Sequence, residues 1–212
     1  MRFFEFLKQL TSKTQLYIIG DLFDQWQRDS IDLAENLDII QQLRNASDRD
    51  IEIFFQTGNR DFMLGKKFFK ATKITKLPDF HVIKPHNILI THGDLLCTDD
   101  VSYLKIRKII QNPVSKFVLN NMPERWLKYL VNKLRSSSRQ QKKTKTLAIM
   151  DTNINTIEKI MLKHKVTTLV HGHTHRPNTH DFKFGTVHVL IDWQAGGRIL
   201  TYDNHKFQLK TI

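Results

Sequence analysis

Cysteine is almost missing from this sequence, which limits how the fold can be held together. Cys97 is the one cysteine among 212 residues, and a single thiol cannot form an internal disulfide. The simple interpretation is a protein of a reducing, cytosolic environment. Long apolar runs are missing too, because no stretch approaches the ~20 residues that a membrane-spanning helix needs. The sequence therefore excludes a disulfide-stapled domain and predicts no spanning segment.

Acidic residues are scarce in one segment of the chain. Between residues 101 and 150 the sequence has twelve Lys or Arg and a single acid, Glu124, so this segment carries almost all of the formal net charge of +12. A local basic field attracts polyanions such as nucleic acid, anionic lipid or phosphate substrates. Composition alone does not choose among the three.

Four short apolar runs predict buried strands, because each is rich in β-branched or aromatic residues. They lie at residues 16–19, 51–55, 87–90 and 167–170. Apolar residues at helical spacing predict amphipathic helices over 33–43 and 154–161. The tail predicts two further strands, at 199–202 and 207–209, joined by a turn at Asp203 and Asn204. Alternating strands and helices indicate an α/β sandwich.

Residues 101–165 follow a helical pattern and are predicted to form a basic helical cap. The cap is inserted after the third predicted strand, and residues 1–100 and 166–212 form the core. Pro113 and Pro123 are expected to divide the cap into separate helices, because proline breaks a helix. The run Ser136 to Ser138 predicts a loop within it.

Each of the four predicted strands is followed by a glycine and a polar side chain. The polar residues are Asp21, Asn59, His92, His171 and His173. Since sites in open α/β sheets form outside the carboxyl ends of the strands, these side chains are expected to converge. The glycines let the backbone turn sharply and approach the site closely.

The predicted ligand set mixes oxygen and imidazole donors. Such a set suits Mn²⁺, Fe²⁺ or Zn²⁺, and the lack of thiolates argues against a structural zinc site. A carboxylate such as Asp21 can bridge two ions, and two ions ~3.5–4 Å apart can clamp a phosphoryl group. Each motif alone has a plainer interpretation, since Gly-Asp after a strand is usually a turn. Four motifs in order, ending in His-Gly-His-Thr-His at 171–175, favour a metal site.

Longer motifs around these residues resemble the calcineurin-like metallophosphoesterases, and within them the UDP-2,3-diacylglucosamine diphosphatase family of lipid A biosynthesis. They are Gly-Asp-Leu-Phe-Asp at 20–24, Gly-Asn-Arg-Asp-Phe-Met-Leu-Gly at 58–65, His-Gly-Asp-Leu-Leu-Cys-Thr-Asp-Asp at 92–100, Leu-Ala-Ile-Met-Asp at 147–151 and His-Gly-His-Thr-His-Arg-Pro at 171–177. The resemblance runs from near residue 1 to the C-terminus. It implies a metallophosphoesterase α/β sandwich with an inserted helical cap. It also implies a metal-dependent diphosphatase that converts UDP-2,3-diacylglucosamine to UMP and 2,3-diacylglucosamine 1-phosphate (lipid X).

The resemblance further implies a role for each site residue. Two Mn²⁺ ions would be bound, with Asp21 bridging them, His173 in one site, and the other site completed by Asn59, His92 and His171. The catalytic residues implied are Asp21, Asn59, Arg60 and His92. The substrate-binding residues implied are Asn59, Arg60, Asp100, Ser138, Lys142, Lys145 and His171.

Arg60 gives a chemical argument for a diphosphate substrate. Many superfamily members have a histidine after the Asn, which protonates an alkoxide leaving group. Cleaving a diphosphate instead expels a phosphate, which leaves without a proton but needs its charge neutralised. A planar guanidinium such as that of Arg60 does this well.

The basic cap has two interpretations. Its cations lie among Phe117, Trp126 and Tyr129, and in the resembled family this insertion covers the acyl chains and touches the membrane. The expected partners are then UDP-2,3-diacylglucosamine and the anionic inner-membrane surface, with no nucleic acid and no protein partner. The expected location is cytoplasmic, peripheral on the inner face of the bacterial inner membrane. The plainer interpretation is a solvated helix whose apolar residues pack on the domain.

One motif of the resembled family is missing from its expected place. Asp-x-His should follow a strand before the first helix, but residues 3–10 have helical spacing and lead directly to the strand that ends at Asp21. The Asp-x-His matches at 79–81 and 203–205 are wrongly placed to help. The first strand of the sheet and two ligands of the His173 site are therefore expected to be absent.

Several interpretations of this departure stay open. The natural protein is expected to begin upstream of Met1, with every later motif intact. Alternatively, the chain is an inactive or lipid-binding homologue. A related nucleotide or nucleic-acid phosphodiesterase is a further alternative, and the basic charge would suit it.

Overall fold

The computed structural model describes residues 2–144, 151–191, 197–204 and 206–211, and for Arg135 and residues 137–144 it describes the backbone. Three sheets and eight helices make up this part of the chain. Strands and helices alternate along the core, so the α/β architecture predicted from the sequence is confirmed.

The first sheet is parallel and holds the residues that precede Asp21 and Asn59. Its order is β1-β2-β3, with β1 at Gln15–Ile19, β2 at Glu52–Gln56 and β3 at Thr75–Lys76. Helices α1 (Arg2–Gln9), α2 (Asp29–Glu35), α3 (Leu37–Asp48) and α4 (Lys66–Thr72) complete this half of the molecule. Their apolar faces meet in one core cluster, centred on Trp26, Leu43, Phe55 and Phe68.

The second sheet has five strands in the order β4-β5-β6-β8-β7. The inner strands β5 (Ile88–Thr91), β6 (Thr168–His171) and β8 (Gly185–Val189) are parallel, and the outer strands β4 (His81–Ile83) and β7 (Asn178–Phe182) are antiparallel to them. Helix α8 (Ile154–His164) covers one face of this sheet and buries Ile157 and Met161 there. A separate hairpin is formed by β9 (Arg198–Asp203) and β10 (Lys206–Thr211).

Three helices follow β5 and form the cap: α5 (Val101–Gln111), α6 (Pro113–Asn121) and α7 (Glu124–Thr144). Pro113 is the first residue of α6 and Pro123 directly precedes α7, where their missing N–H groups cost no helical hydrogen bond. Both prolines therefore separate helices as predicted. The predicted cap range also includes α8, which packs on the core sheet.

Two local expectations were wrong. The helix predicted over 33–43 is divided at Asn36, whose side-chain Nδ2 donates to the Asp32 carbonyl at 2.8 Å and so ends α2. The predicted loop at Ser136 to Ser138 is part of α7. There the Ser136 hydroxyl donates to the Lys133 carbonyl at 2.9 Å, so the helix itself satisfies this polar group.

An open groove of about 2070 Å³ separates β1 from β9. Within the described residues β1 pairs with β2 alone, so its other edge faces this groove. Apolar side chains of α1 form one end of the groove, and Asp21, His92 and His173 lie along its lining. None of the described strands pairs with this edge of β1.

In the part of the chain that the structure describes, no helix combines the length and apolarity needed to cross a bilayer.

Candidate metal centre

The loops after β1 and β2 pack against each other at backbone distance, and this brings Asp21 and Asn59 together. Gly20 has φ +75, and a Cβ placed on it would lie 2.6 Å from both the Gly58 nitrogen and His92 Nδ1. Glycine is required there for its left-handed conformation and for the close approach. The two strand ends can therefore share one site.

Asp61 joins these two loops from inside the protein. Its fully buried carboxylate accepts hydrogen bonds from the Gly58 N–H at 2.7 Å and the Leu22 N–H at 2.9 Å. Burial and the nearby charge of Asp21 raise the pKa of Asp61 above its usual value. This residue was not among the predicted site residues, although it lies within the Gly-Asn-Arg-Asp motif.

His92 presents a lone pair to the centre of the site. Its Nδ1 lies 2.9 Å from the Ile19 carbonyl oxygen, which can only accept, so Nδ1 carries the proton and donates. In the neutral ring Nε2 is then an acceptor. It lies 3.1 Å from Asn59 Oδ1 and 3.7 Å from Asp21 Oδ2, so three acceptors face one another.

His173 approaches the same point from the loop after β6. Its Nδ1 lies 2.9 Å from Asn59 Oδ1, and its ring centre lies 5.1 Å from that of His92. Ligand atoms of Asp21, His92 and His173 all lie within 4.8 Å of one another. Among the described residues this is the one cluster of three His, Cys, Asp or Glu side chains with such spacing.

His171 is buried beside this group with one ring nitrogen unsatisfied. Its Nδ1 donates to the Gly172 carbonyl at 2.9 Å, and its buried Nε2 has no hydrogen-bond partner among the described residues. Burial lowers the pKa of His171 to about 4, so the ring is neutral at pH 7 and Nε2 holds a lone pair. A buried, unpaired acceptor of this kind fits a metal ligand.

The residues therefore fit a divalent cation. Converging acceptors repel one another unless a positive charge lies between them, and two imidazoles here have their tautomers set by backbone carbonyls. Carboxylate, amide and imidazole donors suit several divalent ions, so the donor set alone does not select manganese.

Comparisons with known proteins agree with this site. The family model described as calcineurin-like phosphoesterase matches residues 2–177. That match covers most of the chain. The chain belongs to the calcineurin-like phosphoesterase family. It is also 43% identical over 204 residues to the UDP-2,3-diacylglucosamine hydrolase of Pseudomonas fluorescens strain Pf0-1, covering 93% of this chain and 82% of that protein. The protein of the same name from Vibrio parahaemolyticus is 39% identical over 201 residues, covering 92% and 83%.

Arg60 lies at the rim of the metal centre of this phosphoesterase. Its backbone N–H donates to Asp21 Oδ1 at 2.9 Å, and its Nε lies 3.5 Å from Asp21 Oδ2. Its Nη1 lies 3.2 Å from Asp24 Oδ1. The guanidinium is about one-third exposed, at 36%, so it borders both the ligand cluster and solvent.

Three further predicted substrate residues, Asp100, Ser138 and Lys142, lie in or next to the cap. Asp100 caps α5, where its Oδ1 accepts from the Tyr103 N–H at 3.0 Å and the Ser102 hydroxyl at 2.8 Å. Ser138 and Lys142 belong to α7, and their side chains lie outside the described ones. Lys145 lies outside the described residues. The structure thus brings together six predicted residues: Asp21, Asn59, Arg60, His92, His171 and His173.

Proposed function

We propose that this phosphoesterase hydrolyses the diphosphate bond of UDP-2,3-diacylglucosamine and releases UMP and 2,3-diacylglucosamine 1-phosphate. The observation that carries the proposal is the position of Arg60 at the rim of the ligand cluster, 3.5 Å from Asp21. The relatives that are about 40% identical over most of the chain are named for hydrolysis of this substrate, which supports the same conclusion.

The residues that would hold two Mn²⁺ ions are Asp21, Asn59, His92, His171 and His173. When bound, such cations supply Lewis acidity that withdraws charge from the phosphoryl oxygens and acidifies water. The protein groups set the geometry. Asp21 is oriented by the Arg60 N–H, and His92 is held by the Ile19 carbonyl at 2.9 Å. Both orienting groups are backbone atoms, which cannot rotate away from the site.

Arg60 would act on the leaving group. A phosphate that leaves from a diphosphate carries its charge away without needing a proton, so the useful group is a fixed cation rather than an acid. The two ion pairs with Asp21 and Asp24 hold the guanidinium at the rim of the site. One guanidinium can donate two parallel hydrogen bonds to a departing phosphate.

The second cation would depend on few groups of this chain. Asp21 and His173 are the described residues proposed for it, and the groove between β1 and β9 opens beside them. The first cation would have Asp21, Asn59, His92 and His171. We therefore expect one cation to bind more tightly than the other.

The cap would hold the acyl chains and contact an anionic membrane surface. Its side chains Val114, Phe117, Trp126 and Tyr129 are between 56% and 70% exposed. Exposed cations lie on the cap helices α5 and α7, at Lys105, Lys108, Arg125, Lys128 and Lys133. Exposed apolar side chains among cations suit an amphipathic anion or an anionic lipid surface better than water alone.

The test is Mn²⁺-dependent release of UMP from UDP-2,3-diacylglucosamine by the 212-residue chain. We expect turnover that is lost on chelation and in His92→Ala. Arg60→Ala should lower kcat/KM by roughly 10²–10³, as removal of one transition-state donor does elsewhere. Arg44→Ala, which removes an exposed ion pair with Asp48, is the matched control and should keep wild-type activity.

Other outcomes would contradict the proposal. Tight binding of the lipid by a folded chain without turnover would indicate a lipid-binding protein. Strong hydrolysis of nucleic acid with no activity on the lipid would indicate a nucleic-acid phosphodiesterase. Unchanged kinetics in Arg60→Ala would refute the argument from the leaving group.

A further inference from the structure

A buried ionic network joins the cap to the core beside the metal centre. Asp94 lies two residues after His92 and is almost completely buried. Its Oδ2 accepts a hydrogen bond from the Tyr103 hydroxyl at 2.6 Å and another from Arg107 Nε at 2.6 Å. Tyr103 and Arg107 both belong to α5, so one core carboxylate binds two successive turns of the first cap helix.

The electrostatics of this network favour a charged carboxylate. Asp94 Oδ2 accepts from the Arg107 guanidinium and from the Tyr103 hydroxyl, both at 2.6 Å, and both contacts stabilise the ionised carboxylate. Burial and Asp94 raise the pKa of Tyr103 well above its usual value, and the hydroxyl keeps its proton to donate. Charge-assisted hydrogen bonds between buried groups are strong and directional.

The network also borders the site. The Tyr103 ring centre lies 6.2 Å from that of His173. Gly93, between His92 and Asp94, leaves no space for a side chain, because a Cβ would lie 3.0 Å from the Gly172 carbonyl and 3.1 Å from His171 Nδ1. Asp94 is therefore carried on the same tight turn that positions His92 and contacts the His171 loop.

Arg107 continues the network away from the site. Its Nη2 lies 3.3 Å from Asp79 Oδ1, in the loop before β4. The Asp79 side chain is 44% exposed, whereas that of Asp94 is 2% exposed. One arginine thus pairs with a buried carboxylate that also binds Tyr103 and with a second carboxylate that is largely exposed.

We propose that Asp94 is a positioning residue, which holds Tyr103 against His173 and thereby fixes α5 and the cap in register with the metal centre. This inference rests on the proposed function, because the cap would hold the lipid part of the substrate. Asp94 acts through Tyr103 and touches neither substrate nor cation. Loss of its charge would leave the cap attached through Arg28, which donates to the Met122 carbonyl at 2.6 Å. The cap would no longer be held in a fixed position beside the metal centre.

The test compares Asp94→Asn, Tyr103→Phe, their double variant, and Asp79→Asn as the matched control. Two measurements are made on the full chain in Mn²⁺ buffer. One is hydrogen–deuterium exchange of the α5 amides relative to those of β5 and β6. The other is equilibrium binding of 2,3-diacylglucosamine 1-phosphate, which requires no turnover.

In Asp94→Asn we expect α5 exchange to rise roughly tenfold or more, because a buried hydrogen bond to a charged group is lost. Exchange in β5 and β6 should change little. Product binding should weaken roughly tenfold in Asp94→Asn and less in Tyr103→Phe, and the double variant should bind like Asp94→Asn, because both substitutions remove one interaction. Asp79→Asn should stay within about twofold of wild type, as an exposed ion pair contributes little.

Three results would overturn the inference. If Asp94→Asn has the same α5 exchange and the same product affinity as wild type, Asp94 has no positioning role. Exchange that rises equally in α5, β5 and β6, with product affinity kept, would reduce Asp94 to a general stabilising residue. Additive losses in the double variant would show that Asp94 does not act through Tyr103. If the wild-type chain neither binds the product nor releases UMP, the proposed function fails, and α5 exchange still tests the anchoring by Asp94.

Discussion

At the scale of single residues, Gly58 shows how little space the metal centre leaves. A Cβ on Gly58 would collide with Asp21 Oδ1 and lie 2.8 Å from His92 Cε1. We expect Gly58→Ala to weaken Mn²⁺ binding by at least about tenfold, since the new methyl group displaces two ligands by a few tenths of an ångström or more. Calorimetric titration with Mn²⁺ measures this directly.

Gly172→Ala is the matched control for that experiment. Gly172 lies between His171 and His173, but a Cβ there would be 3.6 Å from its nearest neighbour, the His92 carbonyl. This is ordinary van der Waals distance, so the variant should bind Mn²⁺ like wild type. Equal losses in both variants would contradict the steric argument.

Cys97 offers a second test at this scale. It is buried and donates to the Gly93 carbonyl with an Sγ–O distance of 3.7 Å. Burial, with Asp94 and other nearby carboxylates, raises the pKa of Cys97 to about 12. Because the thiolate is the reactive form, we expect the folded chain to resist a disulfide reagent up to pH 9. The urea-unfolded chain should react at once, and equal rates in the two states would disprove the burial.

The residue scale also separates what the sequence could predict from what it could not. Asp21, Asn59 and His92 were predictable because each follows a strand with a glycine, a pattern visible over a few residues. Asp94 and Arg107 were not, because their bond joins residues thirteen positions apart and depends on how α5 docks. Asp61 is similar, since its role depends on a contact with Leu22, 39 positions away.

At the scale of elements, Asp29 shows how one helix completes another. Asp29 begins α2, yet its carboxylate accepts from the N–H groups of Gly65, Lys67 and Phe68, which lie at the start of α4. It therefore caps a helix whose own cap residue, Gly65, has no side chain. The Trp26 indole N–H donates to the same carboxylate at 3.0 Å.

We expect Asp29→Ala to lower the free energy of unfolding by about 2–4 kcal/mol, because several N–H groups lose a charged acceptor. Urea denaturation measures the change. Asp38→Ala removes an exposed carboxylate in the first turn of α3 and should change the free energy of unfolding by about 0.5 kcal/mol or less. A similar effect of both substitutions would refute the capping role.

Helices and strands were predicted correctly where buried side chains produce a regular apolar pattern in the sequence. The runs at 16–19 and 87–90 agree with β1 and β5 to within about one residue, because both strands are largely apolar. Four strands, β3, β4, β7 and β8, were not predicted from the sequence. Strands β3 and β4 have only two and three residues, and β7 is mostly exposed with a polar sequence. Pairing with a neighbouring strand, rather than local preference, therefore determines these three strands.

At the scale of the whole molecule, the charge distribution predicts how the protein responds to salt. The formal net charge is +12 and the excess lies in the cap region. We expect binding to anionic vesicles to weaken roughly tenfold or more between about 0.1 M and 1 M salt, where the screening length falls from ~10 to ~3 Å. Sedimentation with vesicles measures the bound fraction at each salt concentration, and zwitterionic vesicles serve as the reference.

Substitution of exposed apolar side chains distinguishes binding to a membrane surface from purely electrostatic attraction. Phe117 is 69% exposed in α6 and Leu209 is 54% exposed in β10, far from the cap in sequence. Phe117→Ser should weaken vesicle binding at both salt concentrations, whereas Leu209→Ser should not. Equal binding by both variants would show that charge alone drives vesicle binding, and the proposed contribution of the apolar cap side chains would be wrong.

The groove between β1 and β9 has a consequence for how copies of this chain behave together. The strand β1 reads Gln-Leu-Tyr-Ile-Ile and carries none of the charges or prolines that protect a strand edge. Such an edge can pair with the same edge of another molecule. The rate of such pairing depends on the square of the protein concentration. The amount of protein lost to aggregation during refolding should therefore grow faster than the concentration itself. Dilute refolding should therefore recover a larger soluble fraction than concentrated refolding, even when the folded state is equally stable in both.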